Sequence, residues 1–277
     1  MTATVTGLSP TSCSYQATPA PAFPPLLHSG DPMTNPSQPQ VALVTGANKG
    51  IGFEIARGLA QQGHQVLLGA RDVARGTDAV RLLQREGLDV SLQVLDVTKV
   101  DSIREAARRV HEDFNRLDIL VNNAGMTDPR DGLVSDVPDD VIRRVMETNF
   151  YGALNLTRAL LPLLRRAAQG RIVNVSSPLA SLTHNSDPEW ELASFKMLAY
   201  STSKTALNVF TVQLAHELRG TALKVNAVAP GYTRTDMTGH AGDLTPADSA
   251  VMPIKLATIG NDGPNGGFFN DEGQVPW

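Results

Sequence analysis

The stretch Val41–Gly52, VALVTGANKGIG, limits the fold more than any other in this 277-residue chain. Val41–Val44 reads as a short apolar strand. A glycine-spaced loop, Thr45–Gly52, follows without a spacer. An amphipathic helical pattern then puts Phe53, Ile55, Ala56 and Leu59 on one side. Strand, glycine turn and helix in that order build a phosphate-binding unit. Gly46 permits the tight turn, Gly50 lets the backbone approach a pyrophosphate, and Gly52 lets the helix pack close to the strand. The N–H groups of the helix's first turn then face the phosphates. The spacing is G-x-x-x-G-x-G rather than G-x-G-x-x-G. Alone it also fits an ordinary strand–helix turn, so the rest of the chain decides.

From residue 40 onward, strand-like and helix-like patterns alternate. Strands are expected at 41–45, 66–70, 90–95, 118–121, 171–176 and 223–228, with a short one near 267–269. Helices are expected at about 51–63, 73–86, 99–115, 138–168, 199–219 and 246–258. The strands are apolar and mostly do not alternate, as when helices cover both faces of a sheet. With right-handed crossovers this gives an α/β fold, a doubly wound parallel (Rossmann) sheet in one domain, 40–277. The stretches 178–199 and 231–246 break the rhythm. Each follows a strand's C-terminal end, where ligands sit in such sheets, and they are expected to wall a pocket.

Residues 1–39 are rich in Pro, Ser and Thr and contain no Lys or Arg, so neither a secretory signal nor a transit peptide is expected. The segment reads as a disordered extension; the alternative is that translation begins at Met33. A net charge of −4 offers no basic field for nucleic acid or anionic membrane. No apolar run is long enough to span a bilayer. The single cysteine, Cys13, excludes an intrachain disulfide and fits a reducing cytoplasm. His184, near Asp187 and Glu189, lacks the ligand number and spacing of a metal site, so none is expected.

Tyr200 and Lys204, in YSTSK, lie four apart near the start of a helical pattern and so share a face. A solvated tyrosine has a pKa of about 10. A nearby ammonium favours the phenolate, which makes the pair a plausible acid–base for interconverting an alcohol and a carbonyl. Most Tyr-x-x-x-Lys pairs are surface neighbours, so this spacing carries weight only with company.

That company is present in order: TGANKGIG, NNAG at Asn122–Gly125, Asn149 in ETNFYG, VNVSS at Val173–Ser177, YSTSK, and PGYTRT at Pro230–Thr235. The series resembles the short-chain dehydrogenase/reductase family over about residues 40–277. Within it, GARDVARG, LDVT at Leu95–Thr98 and the ending GPNGGFF…PW resemble the carbonyl reductases. The resemblance implies that Ser177, rather than Ser176, hydrogen-bonds the substrate carbonyl oxygen and that Tyr200 exchanges the proton. It implies that Lys204 lowers the tyrosine pKa and holds the nicotinamide ribose, and that Asn149 fixes a relay water. Gly46, Asn48, Lys49, Gly50, Ile51 and Gly52 would line the phosphates. Asp96 and Val97 would meet the adenine, and Asn123, Ala124 and Gly125 the adenosine ribose. Thr233 and Thr235 would meet the nicotinamide carboxamide and the phosphates, with Pro230, Gly231, Tyr200 and Lys204 also touching the cofactor. Asn122 would brace the sheet.

Cofactor choice follows from charge. NAD binders usually place an acid at the end of the second strand. Here that position is Ala70, followed by Arg71, and Lys49 lies in the glycine loop. Two cations and no acid at that position favour a 2′-phosphate, hence NADPH/NADP+; Asp72 next door weakens this slightly. The implied activity is NADPH-dependent reduction of a small-molecule ketone or aldehyde. Alternatives are a reductase of one metabolite, such as a hydroxysteroid or 3-ketoacyl thioester, or a non-catalytic NADPH sensor. Met126, Trp190, Tyr232 and Met237 are candidate pocket walls. The insertion between Ser177 and Tyr200 is shorter than in the monomeric carbonyl reductases and longer than in simple members, leaving monomer or homo-oligomer open.

Overall fold

A computed structural model describes residues 39–277. The expectations for the N-terminal extension and for a start at Met33 lie outside those residues, Pro39 excepted. The chain runs β1 (Val41–Thr45), α1 (Gly50–Gln61), β2 (Gln65–Ala70), α2 (Val73–Arg85), β3 (Val90–Val94), α3 (Val100–Phe114) and β4 (Ile119–Asn122). It continues through α4 (Asp139–Met146), α5 (Gly152–Leu164), β5 (Arg171–Val175), α6 (Leu182–Asn185), α7 (Leu198–Glu217), β6 (Lys224–Val228), α8 (Pro246–Ala257) and β7 (Phe268–Phe269). The sheet order is β3-β2-β1-β4-β5-β6-β7, with every pairing parallel. The expected doubly wound sheet is what the chain forms. The order reverses between β1 and β4, and the loops above that point hold the motifs.

Strand periodicity divides the core. Ala42 and Val44 face α1, α2 and α8, joining Ile55, Leu59, Leu83 and Leu256. Val41 and Leu43 face α3, α5 and α7, joining Leu120, Leu156, Leu160 and Leu214. Both faces of β1 are therefore dry, which is why its sequence does not alternate. Buried amides tie the strands further: Asn122 Nδ2 donates to Thr157 Oγ1 (3.0 Å) and Asn174 Oδ1 (2.8 Å), and Asn174 Nδ2 to Thr211 Oγ1 (2.8 Å). No helix among the described residues is long and apolar enough to cross a membrane.

The expected single helix over 138–168 is instead α4, a π-helical turn over Glu147–Tyr151, and α5. The wider turn carries Asn149 at its centre, and such turns cluster at functional sites. The stretch 178–199 holds a 3-10 turn, Pro178–Ala180, and the short α6. It is tied down by Trp277, whose carbonyl accepts from Thr183 N (3.0 Å) and Thr183 Oγ1 (2.8 Å). The Trp277 ring stacks on Phe268 of β7 at 5.5 Å.

Candidate active site

The glycine loop crosses the top of β1. Gly46 has φ +63°, and a side chain there would press on the Ala124 backbone at 2.9 Å. Gly52 is needed for close approach: a Cβ would lie 2.3 Å from Asn123 Nδ2 and 2.7 Å from the Gly46 carbonyl. Its crowding is thus with the β4 loop and its own turn. Thr45, not singled out from the sequence, knits the two loops together. Its buried hydroxyl accepts from Asn123 N and Ala124 N, both at 2.9 Å. Asn123 Nδ2 returns a bond to the Thr45 carbonyl at 2.9 Å.

Helix α1 starts without a side-chain cap and without an acid in its first turn. By contrast, α2 is capped by Asp72, which accepts from Arg75 N at 3.0 Å. The uncapped N–H groups at Gly50, Ile51 and Gly52, beside a turn that excludes side chains, suit a pyrophosphate. Asn48 belongs to the same turn. Thr235 reaches this loop, its Cγ2 3.5 Å from where a Gly50 Cβ would stand. Thr233 is buried and shares a 2.6 Å hydrogen bond with Ser249, and Pro230 and Gly231 (φ +79°) lead into that segment from β6.

Lys49 points at Asp236, and the two form an ion pair. The Lys49 hydrogen bond is the main reason the Asp236 carboxyl is held below its ordinary pKa; His240 and Arg75 add to it. Arg75 therefore joins Lys49 and Arg71 at this end of the cleft, although the sequence did not single it out. Arg71 is exposed and has no ion-pair partner among the described residues. Asp72, the acid next to Arg71, is occupied in capping α2. Asp96 likewise turns its carboxylate to Thr98, accepting from its N at 3.0 Å and its Oγ1 at 2.7 Å. Val97 packs where Gly152 opens α5; a Cβ on that glycine would meet Val97 at 2.8 Å.

Above β4 and β5, four side chains converge. Asn149 is 1% exposed. Its Oδ1 accepts from Met126 N (2.8 Å), and its Nδ2 donates to Met126 O (2.9 Å) and Ser203 Oγ (3.0 Å). Both amide protons are thus committed, and the side chain serves as a strut between the β4 loop and α7. Lys204 is 3% exposed, and its Nζ donates to the Val175 carbonyl at 2.7 Å. A Cβ on Gly125 would stand 3.4 Å from that Nζ and 3.5 Å from Asn149 Oδ1. The β4 loop glycine therefore borders the amine and the amide together.

Tyr200 lies one turn before Lys204, with Nζ 5.8 Å from its ring centre. Burial pushes the phenol above its ordinary pKa, and a hydrogen bond with Ser177 pulls the other way. Burial alone lowers the Lys204 amine to about 8. The expected lowering of the phenol pKa by Lys204 is therefore corrected in this geometry. The amine is turned to a carbonyl, and desolvation governs both groups. The two serines separate: Ser177 lies on the Tyr200 side and pulls the phenol pKa down, its Oγ accepting from Leu179 N at 3.2 Å, whereas the Ser176 hydroxyl turns inward to the Lys204 carbonyl at 3.4 Å. Of the candidate walls, Met126 sits on the Asn149 strut and Trp190 lies tilted against His184, ring centres 5.2 Å apart. Tyr232 and Met237 lie exposed beyond β6.

Known proteins carry the same architecture. The sequence profile of the short chain dehydrogenase family matches residues 40–244. Carbonyl reductase [NADPH] 1 of Mus musculus is 35% identical, over 86% of this chain and 98% of that protein. (-)-Isopiperitenone reductase of Mentha piperita is 34% identical, over 82% of this chain and 95% of its own length. The crystal structure of NADPH-bound carbonyl reductase from chicken fatty liver superposes with a TM-score of 0.75 at 29% identity, covering 86% of this chain and 98% of that one. Sheet order, glycine turn, ordered motifs and relatives along nearly their whole length agree: this chain belongs to the short-chain dehydrogenase family.

Proposed function

We propose that this protein reduces a ketone or aldehyde to an alcohol with NADPH, and that Tyr200 supplies the proton. The observation that carries the chemistry is the grouping of Tyr200 with the buried Lys204 amine, its Nζ 5.8 Å from the phenol ring centre, next to Ser177 and the Asn149–Ser203 strut. The reductase relatives and the NADPH-bound neighbour support the same reaction and cofactor. When bound, NADPH supplies a hydride.

The chain's own residues do the rest. Ser177 orients the carbonyl oxygen and stabilises the charge that develops on it. A phenol whose pKa is raised by burial is fully protonated at neutral pH, the form a reduction requires of its acid. Lys204 stands behind it with a proton and a positive charge. Asn149 acts through position: it locks Met126 and Ser203 around Tyr200 and Lys204. The α1 N-terminus and glycine turn suit the pyrophosphate, and Arg71 and Arg75 suit the 2′-phosphate. Lys49 serves that phosphate by turning from Asp236. A medium-sized apolar carbonyl compound fits walls of Met and aromatic residues, and a cytoplasmic location belongs to this reading.

A panel of ketones, aldehydes and quinones tests the proposal. NADPH absorbance in the near ultraviolet should fall with at least one compound, and faster than with NADH. No oxidation of either cofactor across the panel would overturn it. Arg71→Asp should lower the NADPH-to-NADH ratio of kcat/KM by about tenfold or more, the worth of one charge-assisted contact; an unchanged ratio would remove Arg71 from the phosphate site.

A further inference from the structure

We infer that Asp131 is the positioning residue for Tyr200. The inference rests on the proposed role of Tyr200, but the contact stands on its own geometry. Helix α7 begins at Leu198, and its N-cap residue is Met197, which has no side-chain acceptor. A helix end with orphan N–H groups needs acceptors from elsewhere. They come from the β4 loop. The Gly132 carbonyl accepts from Leu198 N at 3.0 Å. Asp131 Oδ1 accepts from Ala199 N and Oδ2 from Tyr200 N, both at 2.9 Å. One carboxylate thus caps the helix across the cleft and grips the backbone of Tyr200 itself. Its negative charge also suits the positive end of the helix dipole.

The loop carrying Asp131 is itself fixed. Asp128 is buried and pairs with Arg144 of α4, and its carbonyl accepts from Asp131 N at 2.9 Å. At the loop's other end Met126 is held by Asn149. Met126–Gly132 therefore forms a brace with Asn149 at one end and Tyr200 at the other. Without the Asp131 carboxylate, Ala199 N and Tyr200 N lose their acceptors and the Gly132 carbonyl alone caps the first turn of α7, so the backbone that aims the phenol is less firmly held.

The test uses Asp131→Ala and Asp131→Asn in the full chain, with three readouts: kcat against KM for a carbonyl substrate, NADPH affinity, and deuterium uptake by the start of α7. Asp131→Ala should lower kcat by about tenfold to a hundredfold, as expected for sub-ångström to ångström misplacement of a reacting group. NADPH affinity should hold, and uptake at Ala199 and Tyr200 should rise. Asp131→Asn keeps one acceptor oxygen and should fall between, rescuing part of both effects. Wild-type kcat with unchanged uptake would overturn the inference. So would a proportional loss of kcat and NADPH affinity, which marks general disruption. If Asp131→Ala does not fold, Asp131→Asn decides by the same criteria. A wild-type chain inactive on every carbonyl would instead fail the functional proposal, and the uptake readout would still decide the Asp131 contact.

Discussion

Tyr200→Phe is expected to reduce carbonyl turnover by about 10²–10⁴-fold, the range for removing a positioned general acid, while NADPH affinity should stay within about twofold. The substitution deletes one oxygen from a ring that remains packed. Tyr200 N stays bonded to Asp131 and Lys204 Nζ to Val175, because neither contact uses the phenol. The lost group is the proposed proton donor, the hydroxyl beside Ser177. An effect confined to the chemical step lowers kcat and kcat/KM together. Steady-state kinetics and a fluorescence titration of NADPH check both halves. A variant that loses cofactor in proportion to rate would mean that the phenol holds the nucleotide instead.

Lys204→Met is expected to lower turnover by at least about a hundredfold without lowering the melting temperature at neutral pH. The reasoning is one of sign. Burial takes the amine from 10.5 to about 8, so holding it protonated in the folded ligand-free chain costs about 3 kcal/mol below that value. Between about 8 and 10.5 the folded chain sheds a proton that the unfolded chain keeps, so this group's contribution to stability improves as pH rises. Methionine removes that cost but leaves the Val175 carbonyl without its 2.7 Å partner, a loss of about 1–3 kcal/mol. The two nearly offset or favour the variant. The difference in stability between wild type and variant should shrink or reverse across that window, read by chemical denaturation at several pH values. A variant several degrees less stable, with no such pH dependence, would show that the amine supports the fold. Stability surrendered at a working site is a common trade.

Much of this was readable in the sequence because it is local. The twelve residues from Val41 carry strand, turn and helix in one run, and short apolar strands spaced by helical patterns leave few alternatives to a doubly wound sheet. The motif series placed Ser177, Tyr200, Lys204 and Asn149 in one family pattern. What stayed hidden depends on distant partners. Asp131 lies 69 positions from the N–H it holds, and Thr45 lies 78 from Asn123. Lys49 reads as a phosphate ligand until Asp236, 187 positions on, is seen beside it. The π-helical turn at Asn149 leaves no residue signature, since ETNFYG contains no proline and would continue an ordinary helix. Even the pKa direction of Tyr200 depended on depth of burial, which spacing alone does not report.

Carbonyl reduction is proposed to be completed by a protonated Tyr200 beside Ser177. Single-turnover oxidation of prebound NADPH after mixing with an active carbonyl compound tests it most directly, for wild type and Tyr200→Phe at equal site concentration. Rapid loss of the reduced-cofactor signal is expected in wild type, and a bound but nearly unreactive cofactor in the variant. Equal rates in the two proteins would contradict it.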